Sequence, residues 1–324
     1  MHTIEYYRKE FIGYLEQKTE TKQPKNLYEP ITYILSLGGK RLRPVLTLLS
    51  AEIFGTDYKN AMDAALAVEV FHNFSLVHDD IMDDAPLRRG KPTVHEKWDV
   101  NTGILSGDAM LINAYQLFEN YRGETFRHLA KLFSKTAIEV CEGQQYDVDF
   151  ETRDDVTVPE YLKMIEYKTA VLVAAALKMG AIIANASENE QEKIYDFGLN
   201  LGIAFQLQDD YLDAFGDPKT FGKQVGGDII VNKKTYLYLK ALELGTQRQR
   251  KELLDLFSLS PKDPSAKVAN VKDIFLESGS ADLTQNKIEH YTEKAFKVLQ
   301  DLKLPDEKKA LLKTFGKNLM RRKV

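Results

Sequence analysis

The stretch "FHNFSLVHDDIMDDAPLRRG" (residues 71–90) runs from an apolar segment into four aspartates within six positions and then into two arginines. Read as a helix, it carries residues four apart on one face, about one turn from each other. Asp79 and Asp83 therefore point the same way, and Asp80 and Asp84 form a second pair about 100° around the axis. Like charges at that spacing repel one another unless a cation lies among them. An apolar run leading into such a cluster reads as a buried wall ending at a polar site rather than as a solvated face.

The pattern recurs. "FQLQDDYLDAFGD" (205–217) repeats the D-D-x-x-D spacing at Asp209, Asp210 and Asp213, again at the end of an apolar helical segment. Two such clusters predict two acidic helix faces across a cavity. Hard oxygen donors with no cysteine or paired histidine beside them favour Mg²⁺, which keeps several waters and bridges carboxylates to phosphate oxygens. The expected partner is a polyphosphate.

Outward from these segments, the 324 residues show helical periodicity nearly everywhere and almost no alternating strand pattern. Helices are predicted over 3–20, 28–37, 42–54, 58–83, 104–121, 125–148, 159–184, 188–214, 232–243, 247–257, 270–278, 281–301 and 306–321. Pro44, Pro159 and Pro305 fall near the starts of such segments, where a missing N–H costs least. No linker, low-complexity tract or short-period repeat divides the chain, so one all-α domain over 1–324 is expected.

Lys plus Arg at 44 against Asp plus Glu at 48 gives a formal net charge of −4 and no general reason to expect nucleic acid or an anionic membrane as partner. The lone cysteine, Cys141, has no intramolecular disulfide partner and is compatible with a reducing cytoplasm. The first twenty residues lack the uninterrupted apolar run of a signal peptide. The most apolar stretch, "AVLVAAALKMGAIIA" (170–184), is broken by Lys178, so no membrane insertion is expected.

Three Gly/Pro-rich basic segments interrupt the helical pattern: "SLGGKRLRP" (36–44), "APLRRGKPTVH" (85–95) and "FGDPKTFGKQVGGDIIVNKKT" (215–235). Lys40, Arg41 and Arg43 follow two glycines, which let backbone approach a ligand, and Lys and Arg both suit phosphate oxygens. Arg88 and Arg89 follow the first acidic segment; Lys223 and Lys233 follow the second. Acids that collect metal, followed by cations on the same polyphosphate, would neutralise a diphosphate as it leaves carbon. No P-loop, kinase-type glycine loop or G-x-S-x-G elbow offers a rival chemistry.

With "GQQYDV", "YKTA", "GKQVGGD" and "NKKT" in the same order, these segments resemble the trans-isoprenyl diphosphate synthases of the polyprenyl synthetase family over nearly the whole chain. The resemblance implies the isoprenoid synthase type I fold, a single bundle of long antiparallel helices around a central cavity, and a homodimer. It implies that Asp79, Asp80, Asp83, Asp209, Asp210 and Asp213 hold Mg²⁺, three ions in all, on an allylic diphosphate. Arg88, Lys168 and Lys223 would grip that diphosphate, with Lys233 nearby. Lys40, Arg43, His72 and Arg89 match positions that bind isopentenyl diphosphate, and Thr169 and Gln206 match residues lining the reacting carbons. Gln144 and Asp147 would orient neighbouring cations, and Lys234 could share the role of Lys233. His78 and His95 read as structural. Arg321, Arg322 and Lys323 resemble the basic tails of some members and equally a solvated terminus.

The implied reaction is ionisation of dimethylallyl, geranyl or farnesyl diphosphate, attack by the isopentenyl double bond and proton loss. Phe74, five positions before Asp79, Ser75 at four and Phe71 at eight match positions that limit chain length. Phe74 beside the small Ser75 resembles the pattern of twenty-carbon synthases, with a fifteen-carbon product as the alternative. A class I terpene cyclase and a non-catalytic subunit of a heteromeric synthase are the other readings; the second complete D-D-x-x-D speaks against both.

Overall fold

The computed structural model describes residues 2–217 and 225–320. Lys223 of the predicted site and the basic residues 321–323 lie outside the described residues. Almost everything described is helical, and the one sheet among these residues is a hairpin pairing Leu87–Arg88 with Lys91–Pro92. The all-α expectation is met. No helix among the described residues is long and apolar enough to cross a membrane.

Several predicted helices change at their ends for local reasons. The 28–37 segment begins earlier, as Lys25–Ser36, because the Pro24 carbonyl accepts the Leu27 and Tyr28 N–H groups; Pro30 is therefore inside the helix. The 58–83 segment is a 3₁₀ turn, Tyr58–Ala61, followed by Met62–Met82. The 104–121 segment starts at Val100 because Asp99 accepts the Thr102 N–H at 2.8 Å, a side-chain cap. The 159–184 segment is three pieces, Val158–Ile165, a π-helical turn Glu166–Ala170, and Val171–Ile183.

Two compact units divide the chain, one comprising residues 1–136 and 175–195 and the other 137–174 and 196–324. In the first, Met62–Met82 is the central element. Its Ala64, Ala65, Leu66, Ala67, Val68, Phe71 and Phe74 are buried, which accounts for its lack of a solvated apolar-to-polar pattern. Phe71, edge-on, and Phe118, tilted, pack against the Phe133 ring at centroid distances of 5.2 and 5.0 Å. In the second, a core of Phe150, Tyr161, Ile165, Leu207, Leu237, Leu253, Val271 and Phe275 is assembled from six helices and supports the other acidic segment.

Candidate active site

In the first unit, Asp79 and Asp80 occupy the last turn of Met62–Met82, and Asp83 is its C-cap. Asp84 then enters the left-handed region (φ 48°), which ends the helix. The chain returns through the 87–92 hairpin, whose two-residue turn, Arg89 and Gly90, has positive φ at both positions (54° and 74°), the type I′ geometry of tight hairpins. That turn brings Arg88 back onto the acids. Its Nε donates to Asp80 Oδ1 at 2.9 Å, Nη2 bonds the same oxygen, and Asp79 Oδ2 lies 3.6 Å away. Asp80 is almost fully buried, whereas Asp79 is half-buried and Asp83 exposed.

The 36–44 segment sorts its cations by direction. Arg41 takes φ 51° and turns inward, where its guanidinium pairs with buried Glu69 and bonds the Leu35 carbonyl. Lys40 stays exposed. Arg43 reaches His72, with Nη1 3.3 Å from Nε2. A guanidinium only donates, so His72 Nε2 accepts and its proton sits on Nδ1. Arg89 bonds the Gly38 carbonyl and lies flat on Gly39. A Cβ on Gly39 would stand 2.9 Å from the Arg89 Cζ at φ 124°, so only glycine admits this contact.

Arg43, His72 and Arg89, predicted to share one pocket, are therefore in one electrostatic neighbourhood. Burial, then Arg43, Arg89, Arg88 and Arg41, hold the His72 imidazole well below its ordinary pKa. Burial also lowers Arg43 and Arg89, the latter helped by Arg41 and Arg88. A neutral histidine among arginines that repel one another is an electrostatic environment that an anion would relieve.

In the second unit, the π turn Glu166–Ala170 carries Lys168 and Thr169. Such turns interrupt an α-helix and often occur at functional sites. Two glycines let neighbouring helices touch its backbone: a Cβ on Gly143 would lie 2.2 Å from the Lys168 nitrogen, and one on Gly202 2.7 Å from the Ala170 Cα. Lys168 Nζ donates to Asp147 Oδ2 at 2.6 Å, and Lys233 Nζ is 3.5 Å from the same oxygen. Burial alone would raise the Asp147 pKa; Lys233 and Lys168 reverse this and bring it below the usual carboxylate value. Lys234, which the sequence could not separate from Lys233, bonds the Phe150, Glu151 and Arg153 carbonyls at the end of Gly123–Thr152. It caps that helix, as cations near C-terminal carbonyls do.

Gly143→Ala is expected to displace the π turn, lowering turnover by roughly tenfold to a hundredfold and stability by about 1–3 kcal/mol. Steady-state kinetics and urea unfolding of the one variant check both.

The second acidic segment ends Glu188–Phe215. Asp210 is buried; Gln206 Nε2 donates to its Oδ1 at 2.9 Å, and the Tyr161 hydroxyl bonds its Oδ2. Thr169 Oγ1 donates to Gln206 Oε1 at 3.1 Å, so one hydrogen-bonded chain links the π turn to the aspartate motif. Asp213 Oδ2 accepts the Asp228 N–H at 2.9 Å, seating the short helix Gly227–Ile230 against the motif. Burial, then the charge of Asp228, pushes the Asp210 pKa upward.

These residues fit a hard divalent cation. The donors are carboxylates, Asp80 Oδ2 is buried without a hydrogen-bond partner, and burial with Asp228 disfavours the charge on Asp210 in the absence of a cation. In both motifs the second aspartate is the buried one, anchored by Arg88 or by Tyr161 and Gln206. Tyr161 and Gly143 were missed from the sequence. Tyr161 reads as an ordinary apolar position of its helix, and the "GQQYDV" motif was the only signal for Gly143.

An all-helical chain with two D-D-x-x-D helix ends, cation-bearing loops and a π turn carrying Lys-Thr defines the class of isoprenoid synthases. Comparison with known proteins narrows this. The Polyprenyl synthetase family model matches residues 24–275, and the chain belongs to that family. It is 39% identical over 300 residues to the geranylgeranyl diphosphate synthase of Methanosarcina mazei, covering 92% of this chain and 90% of the relative. It is 38% identical over 290 residues to the geranylfarnesyl diphosphate synthase of Natronomonas pharaonis, covering 84% and 83%. A crystal structure of a geranylgeranyl pyrophosphate synthase superposes with a TM-score of 0.96 at 59% identity, over 100% of both chains. Members of the family use Mg²⁺ through acidic motifs.

Proposed function

We propose that the protein is a Mg²⁺-dependent short-chain trans-prenyltransferase that condenses isopentenyl diphosphate with allylic diphosphates, with geranylgeranyl diphosphate as its main product. The observation that carries this reading is the second anion pocket. Arg43, His72 and Arg89 assemble beside Asp79, Asp80 and Asp83, in addition to the cations around Asp147. A catalyst that only ionises one diphosphate needs one such pocket; a condensing enzyme needs two. The relatives' names, geranylgeranyl and geranylfarnesyl diphosphate synthase, support the substrate class.

In this reading Asp79, Asp80, Asp83, Asp209, Asp210 and Asp213 would hold three Mg²⁺ ions, with buried Asp80 and Asp210 also anchoring their motifs. Mg²⁺ held there would supply positive charge against the departing allylic diphosphate. Arg88, Lys168, Lys233 and Lys223 share that task at its oxygens, and Asp147 fixes the ammonium groups of Lys168 and Lys233. The allylic C–O bond breaks, and the double bond of isopentenyl diphosphate, whose diphosphate is held by Lys40, Arg43, His72 and Arg89, forms the new C–C bond. The departing diphosphate takes the proton.

Thr169 suits the cationic stage. Its hydroxyl hydrogen is committed to Gln206, which leaves oxygen lone pairs for a positive carbon. The whole chain acts as one domain in the cytoplasm. It dimerises through Val100–Gln116, whose Val100, Ile104, Leu105 and Ile112 are 41–60% exposed.

Phe74 is buried one turn and more before Asp79, with Phe71 behind it at 5.5 Å between ring centroids. Ser75 bonds back to the His72 carbonyl at 2.8 Å and adds little bulk. Phe74 is the floor that stops growth at twenty carbons. The Phe74→Ala variant is expected to make products longer than twenty carbons, read by chromatography of the dephosphorylated alcohols. An unchanged product length would remove Phe74 as the floor.

A further inference from the structure

His78 lies on the same face as the proposed chain-length residues. At about 100° per residue, Phe71, Phe74, Ser75 and His78 fall within roughly 100° of one another, with His78 one turn nearer the aspartates than Phe74. The structure places its ring edge-on to Phe74, 4.8 Å between centroids at 66°. On its other side, His78 Nε2 is 3.2 Å from the Ile104 carbonyl, an acceptor only, so Nε2 carries the proton and donates. The backbone of Val100–Gln116 leaves the ring no spare room there: a Cβ on Gly107 would stand 2.2 Å from Nε2 and 2.6 Å from Cδ2. The imidazole is thus wedged between a neighbouring helix and the Phe74 ring, and Phe74 in turn backs onto Phe71, which packs against Phe133.

We propose that His78 and Gly107 are specificity-determining residues. The imidazole, seated on Gly107 and tied to Ile104, fixes the Phe74 ring across the path of the growing prenyl chain, so product length depends on this wedge as well as on Phe74. The inference rests on the reading of Phe74 as the floor. Removing the imidazole opens space into which the Phe74 ring can turn, which deepens the channel. Adding a methyl at position 107 drives the imidazole toward Phe74, which narrows it. The two changes act in opposite directions on one observable.

The test compares the parent with His78→Ala, Gly107→Ala and Phe74→Ala, all elongating farnesyl and geranyl diphosphate with labelled isopentenyl diphosphate and Mg²⁺. Product ratios are read at whatever turnover each variant retains. His78→Ala is expected to raise the ratio of products beyond twenty carbons by about tenfold, the size of effect a changed apolar pocket exerts. Gly107→Ala is expected to shift products toward fifteen carbons. If Phe74→Ala lengthens the product and His78→Ala does not, the inference fails and the floor reading stands. If neither lengthens it, both fail. Should His78→Ala make no product, Gly107→Ala decides: a parent-like length distribution, or no product there as well, contradicts a role confined to chain length.

Discussion

Asp79→Ala and Asp209→Ala are each expected to lower turnover by roughly a thousandfold while leaving the fold intact. The magnitude follows from chemistry: a divalent ion's stabilisation of a leaving diphosphate is worth several kcal/mol, and about 4 kcal/mol corresponds to three powers of ten. The intact fold follows from position, because both side chains are half-buried at helix ends. Their neighbours behave differently. Asp80 is buried against Arg88, and Asp210 is buried with bonds to Tyr161 and Gln206, so alanine there removes a structural anchor as well as a charge. Turnover and unfolding midpoints of the four single variants separate the two roles; equal loss of stability at all four positions would refute the distinction.

Arg41→Met is expected to cost about 3–5 kcal/mol of stability, because it leaves the Glu69 carboxylate buried without its counter-charge. Asn73 Nδ2, at 2.9 Å from Glu69 Oε1, remains as one compensating donor. Lys40→Ala next door, at an exposed side chain, is expected to change stability by no more than about 0.5 kcal/mol. Urea unfolding of the two variants measures the contrast. Similar stabilities would mean that the buried pair contributes nothing, as happens when solvent or rearrangement takes over the orphaned carboxylate.

The contrast between Arg41 and Lys40 marks where sequence reasoning stopped. The helices and both aspartate motifs are legible because each depends on local periodicity, repeated over many residues. The division of labour within "GGKRLRP" depends on backbone signs, positive φ at Gly38, Gly39 and Arg41, and arginine gives no warning of a left-handed conformation. The 87–92 hairpin escaped because two-residue strands are too short to alternate. The π turn at Glu166–Ala170 was hidden inside an otherwise regular apolar helix, since one widened turn barely disturbs a 3.6-residue pattern. Lys233 and Lys234 are identical as residues and differ only in what lies beside them: the Asp147 carboxylate for one, the last carbonyls of a helix for the other. His78 reads as structural because a lone histidine on an apolar face carries no partner in the sequence; Gly107 and Ile104, its neighbours in space, lie 26 or more positions away.

Product formation by the parent protein is the decisive measurement. The protein is incubated with Mg²⁺ and labelled isopentenyl diphosphate, offered separately with dimethylallyl, geranyl and farnesyl diphosphates, beside Asp79→Ala, Asp209→Ala and an EDTA control. Elongation is expected to end mainly at twenty carbons and to be lost in both variants and on chelation. Folded protein that elongates none of the three primers would rule out a prenyl diphosphate synthase and leave a cyclase or a non-catalytic subunit as the reading of the two aspartate motifs.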